Sequence, residues 1–251
     1  VPAAPRPRAH TRGEAASREA RESAERPPPP PPPLAMMNIF RLMGDMTHLM
    51  SIVMLLLKIH ATRSCAGISL KTQELYALVF MTRYLDLLYS FISLYNTCMK
   101  LIFLGTAFTI VWYMRAHKVV SQTYDKDQDT FRYLFIIVPC GVLALLINHE
   151  FSFTEVLWTF SIYLEAVAIL PQLVLLQRTK NVDNLTGNYV FALGAYRGLY
   201  LLNWVYRYMT EPGYKQWIVW ISGAVQTAIY CDFFYYYLLS WKNNERLSLP
   251  A

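Results

Sequence analysis

The sequence predicts an all-α integral membrane protein with seven transmembrane helices, and three observations lead to this fold class. Hydrophobic residues make up 55% of the 251-residue chain and charged residues only 16%, whereas an average soluble domain has about 25% charged residues. Seven apolar stretches follow one another through short connections, each close to the roughly 20 residues that a helix needs to cross the hydrocarbon core. Most basic residues lie between these stretches, with a strong bias to one side.

The first 36 residues differ in composition from the rest of the chain. They hold six arginines, four glutamates and the proline run Pro27–Pro33, with almost no apolar residue. Such a segment buries too little surface to fold, so we expect 1–36 to be a disordered extension without a function and 37–251 to be the membrane domain. It also lacks the apolar core of a signal peptide, and we place the functional start at Met37. The alternative is a proline-rich tail that binds a partner.

Hydropathy predicts the seven spans in order. They cover 39–58, 73–92, 95–115, 132–148, 153–176, 186–206 and 217–240. Eleven Lys or Arg residues lie in the 1–2, 3–4 and 5–6 connections and the C-terminal tail, against three on the other side. Because short connections rich in Lys and Arg stay in the cytosol, we predict a cytosolic C-terminus and a bundle whose first span begins on the lumenal or external side.

A weak internal repeat indicates how the spans are arranged. Arg83–Tyr89 in span 2 and Arg197–Asn203 in span 6 share Arg, Leu, Leu and Leu at matching positions. Both spans would run in the same direction. We therefore expect spans 1–3 and 5–7 to form two parallel three-helix repeats joined by span 4, as in transporters that bind their ligand near the midplane.

Composition also excludes several classes of function. The four cysteines (Cys65, Cys98, Cys140 and Cys231) lie far apart, without a Cys-x-x-Cys or Cys/His cluster, so neither a disulfide scaffold nor a metal site is expected. The net charge of +6 is explained by membrane topology rather than by nucleic-acid binding. No HExxH or GxSxG motif occurs, and we predict a protein that is not an enzyme and has no cofactor.

Polar residues inside the spans lie on single helix faces, which predicts a cavity. A charge at membrane depth is costly, so it usually lines a cavity or pairs with another charge. The helical spacing groups Arg41, Asp45 and His48 in span 1, Arg83, Asp86 and Ser90 in span 2, Glu155, Trp158 and Glu165 in span 5, and Arg197, Tyr200, Trp204 and Arg207, beside Tyr196, in span 6. We predict a polar, net cationic cavity that opens to the lumen, whose arginines suit carboxylates. The alternative is a set of ion pairs within single helices, such as Arg41–Asp45 or Arg83–Asp86.

Three residues of the later spans have separate expectations. Pro171 frees a backbone carbonyl and is expected to kink span 5. Trp204 shares a face with two arginines and is placed to stack on a ligand cation. Asp232 is an acid in an otherwise apolar and aromatic span 7, and periodicity does not decide between a structural partner and a switch.

Seven short blocks of the sequence carry a family resemblance. They are Met37–Arg41, Cys65–Ser69, Arg83–Leu87, Trp158–Glu165, Ala168–Gln172, Tyr230–Tyr235 and Leu247–Ala251. Together they resemble the KDEL receptor (ER lumen protein-retaining receptor) family, from Met37 to Ala251 without a large gap. The segments Leu175–Arg178 and Asn181–Gly187 are most similar to plant members, and 1–36 has no counterpart.

The resemblance implies a fold similar to the SWEET and PQ-loop transporters and a multi-pass receptor of the ER and Golgi. Such a receptor captures escaped ER-resident proteins in the Golgi by their C-terminal Lys/His-Asp-Glu-Leu signal. It returns them in COPI vesicles and releases them at the higher pH of the ER. The implied partners are these signal peptides, COPI coat components on the cytosolic side and the lipid bilayer, without nucleic acid.

Matching the family's motifs position by position implies roles for individual residues. The three signal-binding arginines fall on Arg41, Arg83 and Arg207. The other positions of the pocket are Tyr84, Asp86, Ser90, Glu155, Tyr196, Arg197, Tyr200 and Trp204. Ser90 departs from the asparagine of animal members, which leaves the preferred signal variant open.

The resemblance also implies residues for pH sensing and transport. His48 matches the histidine tied to pH dependence, with Glu165 and Tyr196 as its network. Asp232 matches the aspartate needed for recycling. The tail expected to engage the coat contains Lys242 and Arg246 instead of the lysine-rich tail of animal members.

The chief alternative function is a small-solute membrane transporter of the SWEET or PQ-loop kind, because the fold is shared. A transporter needs a water-open path to both sides of the membrane, whereas the predicted polar faces cluster toward one end of spans 1, 2, 5 and 6. The expected function is therefore retrieval of signal-bearing proteins, with binding in acid and release near neutral pH.

Overall fold

The structure, a computed structural model, describes residues 38–179, 182–211, 213, 214 and 216–249, so the predicted extension 1–36 lies outside the described residues. This part of the chain folds into eight α-helices: α1 (Ile39–Thr62), α2 (Leu70–Arg83), α3 (Leu94–Ala116), α4 (Leu134–Leu146), α5 (Phe153–Val167), α6 (Leu170–Thr179), α7 (Asn184–Thr210) and α8 (Trp217–Asn243). Two short 3-10 turns occupy Leu85–Leu88 and Ser121–Thr123.

Four helices begin where the sequence supplies a short polar side chain. The capping residues are Asn38 for α1, Ser69 for α2, Ser93 for α3 and Ser152 for α5. Each side-chain oxygen accepts a hydrogen bond from the backbone N–H three positions further on, at 2.8–3.3 Å. This bond satisfies one of the N–H groups that a helix start leaves without an intrahelical partner, and each cap is worth about 1 kcal/mol.

Four helical segments are long and apolar enough to cross a membrane: α1, α3, α5 together with α6, and α8. Helix α4 is apolar but has only 13 residues, and α2 has 14. Helix α7 has 27 residues but buries several polar side chains, among them Arg197 and Asn203. The described chain is therefore an all-helical membrane protein in which some helices are less apolar than an average span.

The second predicted span is wrong in its length. The prediction has one helix over 73–92, but α2 ends at Arg83 and the 3-10 turn and a non-helical segment lead to α3. Arg83, Asp86 and Ser90 therefore do not form one helix face. The physical reason is that Arg83 pairs with a residue of α5 while Asp86 pairs with a residue of α3. An apolar run indicates burial or a lipid environment, but it does not tell where a helix stops.

Near Pro171, where a kink is predicted, the α-helical pattern is interrupted for two residues between α5 and α6, while the two helices together form one 27-residue candidate span. Proline has no N–H to donate within a helix. The neighbouring Gln172 fixes the break, because its backbone N–H donates to Oγ1 of Thr72 at 3.0 Å. Its side chain accepts from the N–H of Ser69 and donates to the carbonyl of Gly67, both at 2.8 Å. The break is thereby held against the start of α2.

The helices pack as one bundle around an apolar core. Helix α1 lies along α7, α2 contacts α3 and α5, α4 packs on α5, and α8 packs on α5 and α7. The buried core includes Leu55, Ile59, Leu75, Val79 and Leu164. Many other apolar side chains face outward, especially on α4, which is typical of helices that are hydrophobic all round and contact lipid.

A polar cluster closes one end of the bundle, and we call its members, Asp129, Ser69, Lys71 and Tyr124, the Asp129 cluster. The Asp129 carboxylate is 2% exposed and accepts from Oγ of Ser69 at 2.9 and 3.0 Å. It also accepts from the Tyr124 hydroxyl at 2.8 Å and the Lys71 backbone N–H at 3.4 Å. The cluster ties the α3–α4 connection to the start of α2.

The chain after α8 folds back against this same end. The carbonyl of Leu247 accepts a hydrogen bond from the backbone N–H of Val182 at 3.3 Å. The side chains of Leu247 and Leu249 are buried, while Lys242 and Arg246 are exposed. Two leucines therefore anchor the tail and leave its basic residues accessible.

Candidate functional site

A cavity of about 590 Å³ opens at the end of the bundle where α1, α5 and α8 begin and where α2 and α7 end. This volume lies within the roughly 300–1,000 Å³ of ordinary ligand pockets. Fourteen of the predicted residues line it: Arg41, Asp45, His48, Arg83, Tyr84, Asp86, Glu155, Trp158, Glu165, Tyr196, Arg197, Tyr200, Trp204 and Arg207. Side chains that are up to 166 positions apart in the sequence thus meet in one place.

The deepest polar group of the cavity is the carboxylate of Glu165, which is 1% exposed. Arg83 on α2 approaches it with Nη1 at 2.6 Å, and Arg197 on α7 with Nη2 at 3.1 Å. The Tyr196 hydroxyl donates to the same carboxylate at 2.6 Å. We call these four residues the Glu165 cluster. Two arginines from the two matching segments of the sequence repeat share one acid, which compensates its buried charge.

Arg83 is also held from a second direction. Its Nε donates to the hydroxyl of Ser161 and its Nη2 to the Ser161 carbonyl, both at 3.1 Å. Ser161 is fully buried on α5, one helical turn before Glu165. The guanidinium is thereby oriented at the inner end of the cavity.

His48 lies between two aromatic rings beside the Glu165 cluster. Its imidazole stacks on the Tyr196 ring at 4.1 Å between centroids with 7° between the planes, and on Phe103 at 4.6 Å. The side chain is 7% exposed and lines the cavity. His48 therefore touches the tyrosine that bonds Glu165, so a change of its charge acts directly on that cluster.

Asp45 organises the wall of the cavity next to His48. Its carboxylate accepts from the hydroxyls of Tyr200 on α7 and Tyr95 on α3, the latter at 2.9 Å. The sequence grouped Asp45 on a polar face but gave it no binding role, and Tyr95 carried no signal. A tyrosine near a span end is usually an interface residue, so its sequence position alone does not distinguish it.

Lys100 is a cavity residue that the sequence analysis missed. Its ammonium pairs with Asp86, and it lies 5.7 Å from the centroid of the Tyr84 ring. Lys100 belongs to α3, a helix that crosses the membrane by length and composition. The signal that identifies it is the charge itself, because a lysine within an apolar span usually lines a cavity or has a partner.

Arg207 occupies the mouth of the cavity. Its guanidinium donates to both carboxylate oxygens of Glu211, with the shortest distance at 2.8 Å, and lies 4.2 Å from the centroid of the Tyr214 ring. Burial raises the pKa of the Tyr214 phenol, so the ring stays neutral beneath the arginine. Residues of the α7–α8 connection therefore hold Arg207 in place.

Trp204 already has a cationic neighbour. The guanidinium carbon of Arg197 lies 5.4 Å from the centroid of the Trp204 ring, within the range of a cation–π contact. Trp204 is 7% exposed and lines the cavity. A ligand cation that stacks on this ring must use the side that Arg197 leaves open.

The two ion pairs within single helices that the alternative named, Arg41–Asp45 and Arg83–Asp86, do not form, whereas Arg207 and Glu211 do pair within one helical turn at the end of α7. Among the described residues, Arg41 has no carboxylate within ion-pair distance, and Asp45 bonds tyrosines instead. Arg83 and Asp86 pair with other helices rather than with each other. The intramembrane charges connect helices to one another around the cavity.

Two predicted residues lie outside the cavity. Ser90 is exposed in the segment between the 3-10 turn and α3, and its backbone N–H donates to the Asp86 carbonyl at 2.8 Å. Asp232 is exposed on the outer surface of α8. Neither side chain contributes to the cavity wall.

The inner part of the cavity also has an apolar lining. Phe80, Met99, Phe103 and Ile162 supply it, from α2, α3 and α5. Phe80 and Phe103 lie near the Glu165 cluster, because His48, which stacks on Tyr196, also stacks on Phe103 and approaches Phe80 at 5.9 Å. The cavity thus offers cationic groups beside an apolar surface.

The fold and this site define the class of protein: a helical integral membrane protein with a cavity lined by basic, acidic and apolar side chains. Comparison with known proteins assigns its family. The sequence model described as ER lumen protein retaining receptor matches residues 64–207. The chain belongs to the ER lumen protein-retaining receptor family, whose members are receptors rather than enzymes.

Individual relatives align with this chain over the whole of their own length. The ER lumen protein-retaining receptor of Petunia hybrida is 71% identical over 215 residues, which cover 86% of this chain and 100% of the relative. The ER lumen protein-retaining receptor B of Arabidopsis thaliana is 70% identical over the same shares. The receptor of Drosophila melanogaster is 55% identical, again over 86% of this chain and 100% of its own. The similarity to plant members is therefore higher than to this animal member.

Proposed function

We propose that the protein is a Golgi-to-ER retrieval receptor that binds the C-terminal Lys/His-Asp-Glu-Leu signal of escaped ER-resident proteins at acidic pH and releases it near neutral pH. The observation that carries the proposal is the charge of the cavity. Cationic side chains reach it from four helices and at different depths: Arg41, Arg83, Lys100, Arg197 and Arg207. A signal that ends in a free carboxylate preceded by Glu and Asp brings three negative charges to match them.

The roles of the cavity residues follow from their depth. Arg41, Arg83 and Arg207 bind the carboxylates of the signal, since a guanidinium presents a planar fork that suits them. The apolar lining beside the Glu165 cluster receives the terminal leucine. Asp86, Glu155 and Trp204 receive the cationic residue four from the end, by charge and by stacking. Tyr84, Tyr196, Arg197 and Tyr200 complete the signal-binding set inside the cavity, and Ser90 belongs to the set from outside the cavity wall.

The proposed pH dependence rests on the contacts of His48. Charged groups face it from three helices: Arg83 on α2, Glu165 on α5 and Arg197 on α7, with Tyr196 stacked on its ring. Protonated His48 adds a positive charge beside Glu165, so that Arg83 is freer to turn toward a bound carboxylate. Signal binding and protonation then favour each other, and by linkage the affinity is highest in acid and falls as the pH rises.

The proposed topology has seven spans: α1, α2, α3, α4, the broken helix α5–α6, α7 and α8. Two three-helix repeats, α1–α3 and α5–α8, are joined by α4, and the shared use of Glu165 by Arg83 and Arg197 supports this pairing. The C-terminus is cytosolic and the cavity opens to the lumen, where the signals are. Residues 37–251 form this domain and 1–36 are an extension without a function.

On the cytosolic side, COPI coat components engage the exposed tail through Lys242 and Arg246, and Asp232 on the outer face of α8 serves recycling. Exposure of Lys242 and Arg246 at the end of α8 and in the tail supports the proposal for the coat, whereas Asp232 lies in the middle of the spanning helix and its role rests on the family resemblance. The receptor moves between the ER and the cis-Golgi. The transporter alternative is not favoured, because the relatives are named as receptors.

Peptide binding tests the function directly. The purified receptor is titrated with a free-acid signal peptide and with the same peptide amidated at its C-terminus, at pH about 5.5 and 7.4, on either side of the ordinary histidine range. We expect tight binding of the free acid in acid, weaker binding near neutral pH and a large loss on amidation. Equal binding of the two peptides, or saturable uptake of small solutes into proteoliposomes without any peptide, contradicts the proposal.

A further inference from the structure

The carboxylate of Glu211 occupies Arg207 in the free protein. Glu211 ends α7, and its backbone N–H donates to the Arg207 carbonyl at 2.8 Å. Its carboxylate accepts from Nε of Arg207 at 2.9 and 3.0 Å and from Nη2 at 2.8 Å. Tyr214 covers one face of the same guanidinium. One edge and one face of Arg207 are therefore taken by the chain itself.

This ion pair differs from the others of the cavity in its exposure. The side chain of Glu211 is 37% exposed, against 2% for Glu165 and 27% for Asp86. Glu211 also lies one helical turn from its partner and is bonded to that guanidinium alone among the described residues. The Glu211 carboxylate can leave Arg207 and be hydrated by water. If Glu165 left its arginines, in contrast, a buried charge would remain without a partner.

We propose that Glu211 is a specificity-determining residue, because its carboxylate occupies the edge of Arg207 that a carboxylate of the signal takes. The inference rests on the proposed function. It adds that Glu211 of the receptor competes with a carboxylate of the signal for Arg207. Exchange of one carboxylate for another on the same guanidinium is nearly neutral in free energy. Arg207 therefore gives little affinity for a lone anion, such as a single acidic side chain or a phosphate. A ligand that also reaches the inner arginines and the apolar lining displaces Glu211.

The substitution Glu211→Gln tests this competition. It keeps the size of the side chain and removes the charge that holds Arg207. We expect the signal peptide to bind about two- to fivefold more tightly at pH about 5.5, which is the range of an exposed ion pair. The matched control is Glu150→Gln in the α4–α5 connection, which removes the same charge from an exposed residue outside the cavity wall and leaves the affinity unchanged.

A second background separates direct competition from a general change of the electric field. In Arg207→Lys, which cannot form the two parallel hydrogen bonds, the gain from Glu211→Gln should be smaller, as a double-mutant cycle measures. An equal gain in both backgrounds, or unchanged or weaker binding by Glu211→Gln, overturns the inference. If Glu211→Gln does not fold, Glu211→Asp replaces it, since a shorter carboxylate loses the bidentate geometry and should also tighten binding. Failure of the unaltered receptor to bind the peptide instead refutes the proposed function.

Discussion

Two buried carboxylates, at opposite ends of the bundle, are satisfied in different ways. Glu165 is bonded by two arginines and a tyrosine, and it lies against a cavity of about 590 Å³. Asp129 is bonded by the hydroxyls of Ser69 and Tyr124 and by a backbone N–H, and it does not line this cavity. Glu165 therefore has two cationic partners, Arg83 and Arg197, whereas the three groups that donate to Asp129 are neutral.

The comparison shows that a buried carboxylate is suited to ligand binding or to stability according to the donors that surround it. An arginine can exchange one carboxylate for another while it stays charged, so the Glu165 cluster has a place for a ligand. The donors of Asp129 are part of a helix start and a connection, and their positions are set by the backbone. Burial and the hydrogen bond to Asp129 raise the pKa of the Tyr124 phenol well above its ordinary value, which keeps this donor protonated. The Asp129 cluster therefore has a structural role: it holds the α3–α4 connection against the start of α2.

The largest expected effect is on the Glu165 cluster. Arg83→Ala should abolish capture of signal-bearing proteins, because it leaves a buried ligand carboxylate unpaired at a cost of roughly 3–5 kcal/mol. Arg83→Lys should also lose most binding, since a point charge does not reproduce the fork. Retention of a secreted reporter that carries the signal provides the measurement. Arg115→Ala, which removes an exposed arginine paired with Glu74, is the control and should retain the reporter normally.

Wild-type retention by Arg83→Lys would show that Arg83 is a structural ion pair of Glu165. The comparison between the two acids would then fail, because both would be structural. Measured peptide affinity distinguishes this outcome from altered trafficking.

The next effect belongs to the Asp129 cluster. Asp129→Ala leaves the buried donors of Ser69 and Tyr124 without an acceptor, and we expect a loss of about 2–4 kcal/mol in the free energy of unfolding. The folded fraction should bind the signal with unchanged affinity. Thermal unfolding in detergent and peptide titration measure the two quantities. Asp127→Ala, at an exposed position two residues earlier, should change neither. A weaker signal affinity with unchanged stability would mean that the two ends are coupled.

His48→Asn is expected to have a smaller effect that appears only as a function of pH. Asparagine keeps a hydrogen-bonding side chain but does not titrate, so the rise in affinity on acidification should disappear. One titrating group changes an affinity by at most about tenfold per pH unit, which bounds the expected difference. Peptide titration across pH 5–8, the histidine range, measures it. If the pH profile of His48→Asn is that of the unaltered protein, Glu165 becomes the candidate sensor.

The last prediction concerns N-glycosylation, for which no effect is expected. Asn184-Leu185-Thr186 matches the N-glycosylation pattern, and Asn184 is the first residue of α7 at the end where the Asp129 cluster lies. The proposed topology puts this end in the cytosol, where no glycan is added. Glycosidase treatment should therefore leave the mass of the expressed protein unchanged. A shift that vanishes in Asn184→Gln would reverse the orientation and put the cavity on the cytosolic side.

Many residues of the cavity were predictable from the sequence, because a charge inside an apolar span is energetically costly whatever the tertiary structure is. Arg83, Arg197 and Glu165 were identified on that ground, and the structure brings them together. The partners were not predictable. The choice of Glu165 over Asp86 by Arg83 depends on where α2 ends, and hydropathy does not contain that information.

The Asp129 cluster carried no such signal. A Ser, a Tyr and an Asp in polar connections are ordinary surface residues in a sequence, and only the tertiary fold buries them. The tail is similar, because Leu247 and Leu249 are two apolar residues in a short polar segment. Residues whose role depends on contacts between distant connections are those that a single sequence does not identify.

The charges around the cavity have a consequence for the direction of transport. The wall holds five basic residues, Arg41, Arg83, Lys100, Arg197 and Arg207, and four acids, Asp45, Asp86, Glu155 and Glu165. Once Glu211 has left Arg207, as proposed above, a signal with three carboxylates and one cation turns this surplus of one positive charge into a deficit of one. In a chamber surrounded by lipid and protein, such an imbalance is expensive. Under the proposed function, one proton on His48 would restore electroneutrality, so the signal would bind together with a proton and be released where the higher pH of the ER removes that proton.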